Sequence, residues 1–236
     1  MDDARDRTKE MEIALKAGWK IACFTSDPIE AVVPKGADAL SSEQLNRTHE
    51  RGHSRPRMWA QYAADHSGAC LVFHKQSLDD AIRAYASENG LQVFCGRVTY
   101  LNTPVVQRLA LGPFCFSLDE IRQHGIERAA RQHAERYLHE LYLHKNRDWE
   151  GEREFRWLLR GSNENAEFVD FRGALAGIAL GDRFPEDMKQ TVGKFVVKNG
   201  ADVVSMDWRR DIPQPKLLTP RMLLPEGDPD RPLSGW

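Results

Sequence analysis

The chain lacks the long apolar runs that mark membrane proteins. No apolar stretch approaches the ~20 residues that a membrane-spanning helix needs. The first ten residues, MDDARDRTKE, are charged where a signal peptide would carry its hydrophobic segment. We therefore expect a cytoplasmic protein with no membrane partner.

An excess of one charge sign is also missing. Lys and Arg total 33 against 35 for Asp and Glu, a formal net charge of -2. This balance removes the simplest argument for non-specific binding to nucleic acid, although a local basic patch stays open. The hydrophobic fraction of 41% is enough for a packed core in a chain of 236 residues.

Closely spaced metal ligands are absent from the sequence. No CxxC pair occurs, and the four cysteines stand far apart in apolar runs, which favours buried, reduced thiols over a zinc site or a disulfide framework. A metal-dependent nuclease has little support, since its candidate carboxylates lie on separate predicted elements. We expect no metal. The residues concerned are Cys23, Cys70, Cys95 and Cys115, and Asp65, Asp170 and Asp207.

Hydrophobic periodicity predicts an α+β fold over residues 1–211. We expect a single domain with a mixed β-sheet flanked by helices, one long helix and a C-terminal βαβ-like unit. Residues 28–57 read as a surface excursion, and the proline-rich segment 212–236 as an extended tail. The predicted helices are 3–17, 58–68, 77–87, 117–146 and 185–199, and the predicted strands are 19–25, 69–73, 91–100, 149–157, 175–181 and 202–208.

What the sequence does contain is an acidic segment between two tryptophans, WEGEREFRW at residues 149–157. As a strand it would place alternate side chains on one face, ~6.6 Å apart from a rise of ~3.3 Å per residue. Three carboxylates and an arginine on one face are more expected beside a cleft than by chance. The alternative is a solvent-facing row of cross-strand ion pairs. The row comprises Glu150, Glu152, Glu154 and Arg156, opposite Trp149, Phe155 and Trp157.

A second group of candidate residues lies on the predicted helix MWAQYAADHSG. Trp59 and Tyr62 are three residues apart and His66 follows one turn later, so rings and polar tips can converge at one helix edge. The alternative is that Trp59 and Tyr62 anchor the core, because both residue types are amphipathic and occur in pockets and cores alike.

Several blocks together, in order, resemble the bacterial family of domains of unknown function known as DUF2971. They are CFTS, MWAQYAADHSGACLVF, VTY, K-x-x-x-W-E-x-E-x-E-x-R and GIALG, and they cover most of the chain up to Trp208. The resemblance implies a bacterial accessory protein of phage-defence or toxin-like systems. Family members usually begin with a hairpin that has a Tyr-rich strand and an F-N-D-P turn, whereas this chain begins with the helix before CFTS.

An enzyme hypothesis follows by analogy with ADP-ribosyltransferase-like proteins, in which an E-x-E strand faces the NAD cleft. Glu154 would contact the nicotinamide ribose and stabilise an oxocarbenium-like centre, and Glu152 would orient the acceptor. Tyr62 or Trp59 would stack on the nicotinamide ring, and Ser26 would hold a ribose or phosphate oxygen. NAD would be the substrate, and the enzyme would be a transferase or an NAD glycohydrolase.

The alternative hypothesis is a non-catalytic domain that senses a nucleotide, a nucleic acid or a partner protein. Aromatic side chains would then stack on a base, arginines would meet phosphates, and the glutamates would position those arginines. The oligomeric state stays open. The residues concerned are Trp59, Tyr62 and Trp149, and Arg57, Arg153 and Arg156.

Overall fold

Helices and strands alternate along the chain and sort into two units. The computed structural model describes residues 2–27, 51–102, 112–161, 165–210 and 212–232. Unit 1 comprises residues 1–26 and 86–168, and unit 2 comprises residues 27–85 and 169–236. Both contain helices and strands, so the predicted α+β class is confirmed. Residues 28–50 of the predicted excursion at 28–57 lie outside the described residues.

The elements are numbered in chain order. The helices are α1 (Asp2–Lys16), α2 (Pro56–Tyr62), α3 (Lys75–Glu88), α4 (Leu118–His124), α5 (Ile126–Arg136), α6 (Leu138–Tyr142), α7 (Glu186–Asn199) and α8 (Pro220–Leu223). The strands are β1 (Trp19–Thr25), β2 (Ala69–Phe73), β3 (Gln92–Arg97), β4 (Thr99–Leu101), β5 (His144–Asn146), β6 (Glu154–Arg160), β7 (Leu175–Leu180), β8 (Asp202–Arg209) and β9 (Ile212–Leu218). Short 3₁₀ helices occupy Gly52–Ser54, Arg147–Glu152 and Arg172–Ala174.

The main sheet of unit 1 has β6 at its centre, antiparallel to β1 on one side and β3 on the other. Its register places Glu154 opposite Thr25, and Arg156 opposite both Cys23 and Gly96. A separate parallel pair, β4 and β5, brings Lys145 opposite Tyr100. The sheet therefore gathers polar side chains at the beginning of β6.

Helices cover the face of this sheet that carries Leu158, and the same face carries Glu154 and Arg156 nearer the beginning of β6. Leu158 of β6 is fully buried in a cluster with Met11 of α1 and Ala130 of α5. The Tyr142 hydroxyl donates to the Leu15 carbonyl at 2.6 Å, and its ring packs 4.8 Å from the ring of Trp19. Tyr142 thus connects the end of α1 to the segment that precedes β5.

Unit 2 contains a four-stranded mixed sheet in the order β2-β7-β8-β9. β7 and β8 are parallel neighbours joined by α7, so the predicted C-terminal βαβ unit is confirmed. Helix α7 follows Pro185 and ends at Gly200, whose φ of 67° is the left-handed conformation that glycine adopts readily. Among the described residues, no helix combines the length and apolar character that crossing a membrane requires.

The single long helix predicted over 117–146 is wrong. Ser117 caps its start as expected, its Oγ accepting from the Glu120 amide at 3.2 Å. Gly125 then ends α4 with φ 77° and ψ 162°, and Tyr137 separates α5 from α6 with φ -117° and ψ 30°. Three short helices result because each break interrupts the helical dihedral angles.

The tail predicted after residue 211 is wrong over Ile212–Leu218, which forms β9 and pairs antiparallel with β8. Pro213 and Pro215 are compatible with this strand because it lies at the sheet edge, where a missing amide donor is tolerated. The domain boundary at residue 211 stays a prediction.

The four cysteines form no disulfide within the described part of the chain. Cys23 and Cys115 are exposed, so the predicted burial is wrong for these two. Strand alternation places Cys23 on the same face of β1 as Thr25, near the end of the strand.

Gly193 of α7 lies against the following helix, and replacing it with alanine should destabilise the protein. An added Cβ would stand 2.8 Å from Leu224 Cδ2 and 2.9 Å from Leu223 Cβ. We expect Gly193→Ala to lower the free energy of unfolding by about 1–3 kcal/mol through overpacking, measured by urea denaturation.

Gly173→Ala is the matched control, because a Cβ there meets no described atom within 4 Å. It should leave stability unchanged or raise it by up to ~1 kcal/mol by restricting the unfolded chain. Equal behaviour of the two variants would contradict the packing of α8 against α7.

Candidate functional site

The acidic segment forms a 3₁₀ helix followed by a strand, and the prediction of a continuous strand over 149–157 is wrong. The Asn146 side chain accepts from the Asp148 amide at 3.0 Å and so starts the helix at Arg147. The helix ends at Arg153, which is left-handed with φ 45° and ψ 48°. Strand alternation therefore relates only Glu154 and Arg156, and not Glu152 or Glu150.

The end of β1 holds the junction between this 3₁₀ helix and β6. Thr25 Oγ1 donates to the Glu152 carbonyl at 2.6 Å. Ser26 donates to the Arg153 carbonyl twice, from its amide at 3.0 Å and from its hydroxyl at 2.7 Å. The same hydroxyl accepts from Arg97 Nη1 at 3.3 Å. Ser26 thus fixes the backbone of one arginine and the side chain of another.

Two nearly buried carboxylates of this segment are paired with two cations. Glu152 and Glu154 are only 5% and 6% exposed. Lys145 Nζ lies 2.5 Å from Glu152 Oε2 and 3.5 Å from Glu154 Oε2. Arg156 contacts both oxygens of Glu154, from Nε at 2.8 Å and from Nη2 at 3.1 Å, and donates through Nη1 to the Tyr142 carbonyl at 2.5 Å. We call Lys145, Glu152, Glu154 and Arg156 the ion network.

The ion network keeps Glu154 ionised. Burial works to raise the pKa of this carboxyl, but hydrogen bonds from Arg156 and Cys23, and the charges of Arg156 and Lys145, lower it below 4.5. Desolvation, followed by the hydrogen bond and charge of Glu154, raises the pKa of the Cys23 thiol to about 11. At neutral pH, Glu154 is a carboxylate and Cys23 a thiol.

A cavity of about 310 Å³ opens beside the ion network in unit 1. Its charged members include two arginines, Arg97 and Arg153, whose side chains are exposed. Tyr100 contributes a hydroxyl that accepts from the Glu154 amide at 2.8 Å. The lining residues are Arg97, Val98, Tyr100, Glu150, Arg153 and Glu154.

The structure gathers five of the eight predicted site residues within unit 1. Glu154 lines the cavity, and Glu152 and Arg156 belong to the ion network. Trp149 lies under Lys145, whose Nζ is 4.8 Å from the ring centroid, so this ring supports the network by a cation–π contact. Ser26 holds the backbone at the junction.

The other three predicted site residues belong to unit 2. Trp59 is only 2% exposed, and its Nε1 donates to the His53 carbonyl at 2.7 Å, so it is the core anchor that the sequence left as an alternative. Tyr62 is 60% exposed. His66 lies beside the rings of Trp59 and Trp208, in a left-handed turn with φ 68°.

Sequence reasoning missed Lys145, Arg97 and Tyr100 as site residues. Lys145 is the first residue of the K-x-x-x-W-E-x-E-x-E-x-R block. A lysine a few residues before Glu152 and Glu154 was the sequence signal that could have predicted its pairing with them. Arg97 precedes the VTY block and Tyr100 is its last residue, but nothing local connects them to residues more than fifty positions later. Within the described ranges, no three His, Cys, Asp or Glu side chains gather as a metal site would require.

Residues 58–157 match the family model described as Protein of unknown function (DUF2971). The match supports the family resemblance of the three motif blocks inside this range, which begin at Met58, Val98 and Lys145. It extends from α2 to Trp157 of β6 and so includes the ion network and the cavity lining. Searches of curated proteins and of solved structures gave no match.

Removing Lys145 should destabilise the protein far more than removing an exposed partner. Lys145→Met leaves the Glu152 carboxylate buried without its closest cation, and we expect a loss of about 3 kcal/mol in the free energy of unfolding. Adding Glu152→Leu should recover part of this loss, because the double variant buries one charge fewer.

Arg147→Ala is the control for this experiment. Arg147 pairs with Glu150 at 3.3 Å, and both side chains are 60% exposed, so the loss should stay below ~1 kcal/mol. Urea denaturation measures all three variants. Similar losses in Lys145→Met and Arg147→Ala would contradict the burial of the ion network.

The lowered pKa of Glu154 makes stability depend on acid pH. Its contribution is fully present above the unfolded value of 4.5 and is lost as pH falls through the lower folded value. The difference in unfolding free energy between the native protein and Glu154→Gln should therefore be constant near neutral pH and shrink below pH 4.5. A difference that grows on acidification would show that the pKa is raised instead.

Proposed function

We propose that this protein is a non-catalytic binding domain that senses a small phosphate-bearing ligand, of the nucleotide class, in the cavity beside the ion network. The observation that carries this proposal is the pair of arginines in the cavity wall, Arg97 and Arg153. A guanidinium presents several donors in a planar fork that matches phosphate oxygens.

The charge balance of the site supports this proposal. Glu154 lines the cavity, but both of its oxygens accept from Arg156, and Lys145 lies nearby. Its negative charge is therefore offset inside the protein and repels an anion less than an unpaired carboxylate would. This arrangement favours a site that binds anions over one that depends on an accessible glutamate.

The two arginines are held before any ligand arrives. Ser26 accepts from Arg97 and donates to the backbone of Arg153. Arg153 is kept in a left-handed conformation that costs a non-glycine residue free energy and that surrounding contacts must maintain. Preorganisation of this kind reduces the entropy lost on binding.

Size and net charge favour a nucleotide over a nucleic acid. The volume of about 310 Å³ is at the lower end of the ~300–1,000 Å³ typical of ligand sites. The formal net charge of -2 gives no general attraction to a polyanion. Binding of a nucleic acid or of a partner protein in place of a nucleotide is an outcome that the binding test must distinguish.

Arg97→Ala should weaken nucleotide binding by about tenfold or more, because a charge-assisted contact to phosphate contributes roughly 1.5–3 kcal/mol. Isothermal titration with AMP measures the dissociation constant. Arg97→Lys should recover only part of the affinity, since lysine keeps the charge but not the fork.

Arg122→Ala is the matched control, because Arg122 is an exposed arginine of unit 1 that pairs with Asp119. It should leave binding unchanged, and thermal unfolding should show that each variant is folded. Binding of a phosphorylated oligonucleotide but not of AMP, or equal affinities of Arg97→Ala and the native protein, would contradict the proposal.

A second candidate is ADP-ribosyl transfer or NAD hydrolysis, and one observation favours it. Glu154 lines the cavity and is ionised, as a carboxylate that stabilises an oxocarbenium-like centre must be. NAD would be the substrate. The test is release of nicotinamide from NAD by the purified protein, with Glu154→Gln as comparison. Absence of release with every acceptor tried would leave only the binding function.

The biological setting that we propose is a bacterial phage-defence or toxin-like system, as the family resemblance implies, with the protein in the cytoplasm, as the charged N-terminal residues suggest. Protection of a bacterial host would then depend on the cavity. Expressing the native protein and Arg97→Ala in the same host and comparing plaque formation tests this setting. Equal plaque numbers with the native protein and an empty vector would oppose it.

A further inference from the structure

We infer that the cavity beside the ion network recognises a ribosyl phosphate, with Glu150 accepting from the sugar hydroxyls and Arg97 and Arg153 donating to the phosphate. This inference rests on the proposed function and narrows its ligand class. It also assigns Glu150 a role as specificity-determining residue.

The cavity combines both charge signs within a small volume. Arg97 and Arg153 line it together with Glu150 and Glu154. Inorganic phosphate would be attracted by the guanidinium groups and repelled by the Glu150 carboxylate, since Arg156 offsets the charge of Glu154. A ligand with hydroxyl donors beside its phosphate complements both kinds of group, since carboxylates accept hydrogen bonds from hydroxyls.

Of the two carboxylates, Glu150 is the better placed to accept from a ligand. Both oxygens of Glu154 accept from Arg156, and its side chain is only 7% exposed. The Glu150 side chain is 60% exposed, and its contact with Arg147 at 3.3 Å joins two exposed groups, a type of pair that contributes little and exchanges easily.

The backbones of Glu150 and Arg153 are also held at a fixed separation. The Arg153 amide donates to the Glu150 carbonyl at 3.1 Å, which closes the last turn of the 3₁₀ helix. The Ser26 hydroxyl in turn donates to the Arg153 carbonyl. The residues that supply the hydroxyl acceptor and one phosphate donor therefore belong to one turn whose backbone is held in place.

The volume of the cavity limits how much of a nucleotide it encloses. At about 310 Å³, it suits one sugar and its phosphate, and larger ligand sites extend to ~1,000 Å³. A nucleobase attached to this sugar would extend into solvent. Base identity should consequently change affinity little, and a dinucleotide such as NAD should gain nothing over a mononucleotide.

The experiment compares five ligands by isothermal titration: inorganic phosphate, ribose 5-phosphate, AMP, adenosine and NAD. We expect ribose 5-phosphate and AMP to bind with dissociation constants within about threefold of each other, and inorganic phosphate about tenfold more weakly. Adenosine, which lacks phosphate, should not bind measurably.

Glu150→Gln keeps the size of the side chain and removes its charge. It should weaken ribose 5-phosphate binding by about fivefold or more and leave phosphate binding unchanged or tighter, because repulsion is lost. Arg147→Ala removes the same ion pair from its other side and is the control, for which both dissociation constants should stay unchanged.

Three results would overturn the inference while leaving anion binding intact. They are equal affinities for phosphate and ribose 5-phosphate, equal weakening of both ligands by Glu150→Gln, and tighter binding of NAD than of AMP. If no phosphate-bearing ligand binds, the proposed function fails as well, and the two failures are thereby distinguished.

Discussion

The beginning of β6 depends on the neutralisation of two carboxylates that the fold takes out of water. An isolated buried carboxylate costs several kcal/mol, so Glu152 and Glu154 can occupy this place only because Lys145 and Arg156 accompany them. Arg156 also holds the Tyr142 carbonyl, and the Tyr142 hydroxyl holds the carbonyl of Leu15. One chain of polar contacts therefore connects the N-terminal helix, the end of α6 and the central strand.

The same neutralisation decides what the carboxylates can do. A general acid must be protonated near neutral pH, whereas Glu154 has a lowered pKa and two oxygens that already accept hydrogen bonds. The pairing of Glu154 with Arg156 orients the arginine side chain and offsets the negative charge of Glu154 in the cavity wall. Arg97 and Arg153 then determine the character of the cavity, and binding of an anion is the simplest chemistry for such a wall.

The sequence predicted best those elements whose ends carry a local signal. Strand 19–25 and strand 69–73 were placed at their exact bounds, and α7 ends at a glycine as expected. The prediction of one long helix is wrong although the sequence contains Gly125, because the helical spacing of apolar residues continues across this glycine. The 3₁₀ helix was not predicted for a different reason. It ends at a left-handed Arg153, and arginine as a residue type gives no indication of that conformation.

The candidate site was predicted only in part because its contacts are long-range. Thr25 reaches Glu152, and Tyr100 reaches Glu154, only through pairing of β1 and β3 with β6. Strand alternation was the wrong reason to expect the two glutamates of E-x-E together, yet they do converge, because one lysine attracts both. The same spacing can therefore arise from a shared cation, and E-x-E indicates a catalytic strand only where no such cation accompanies it.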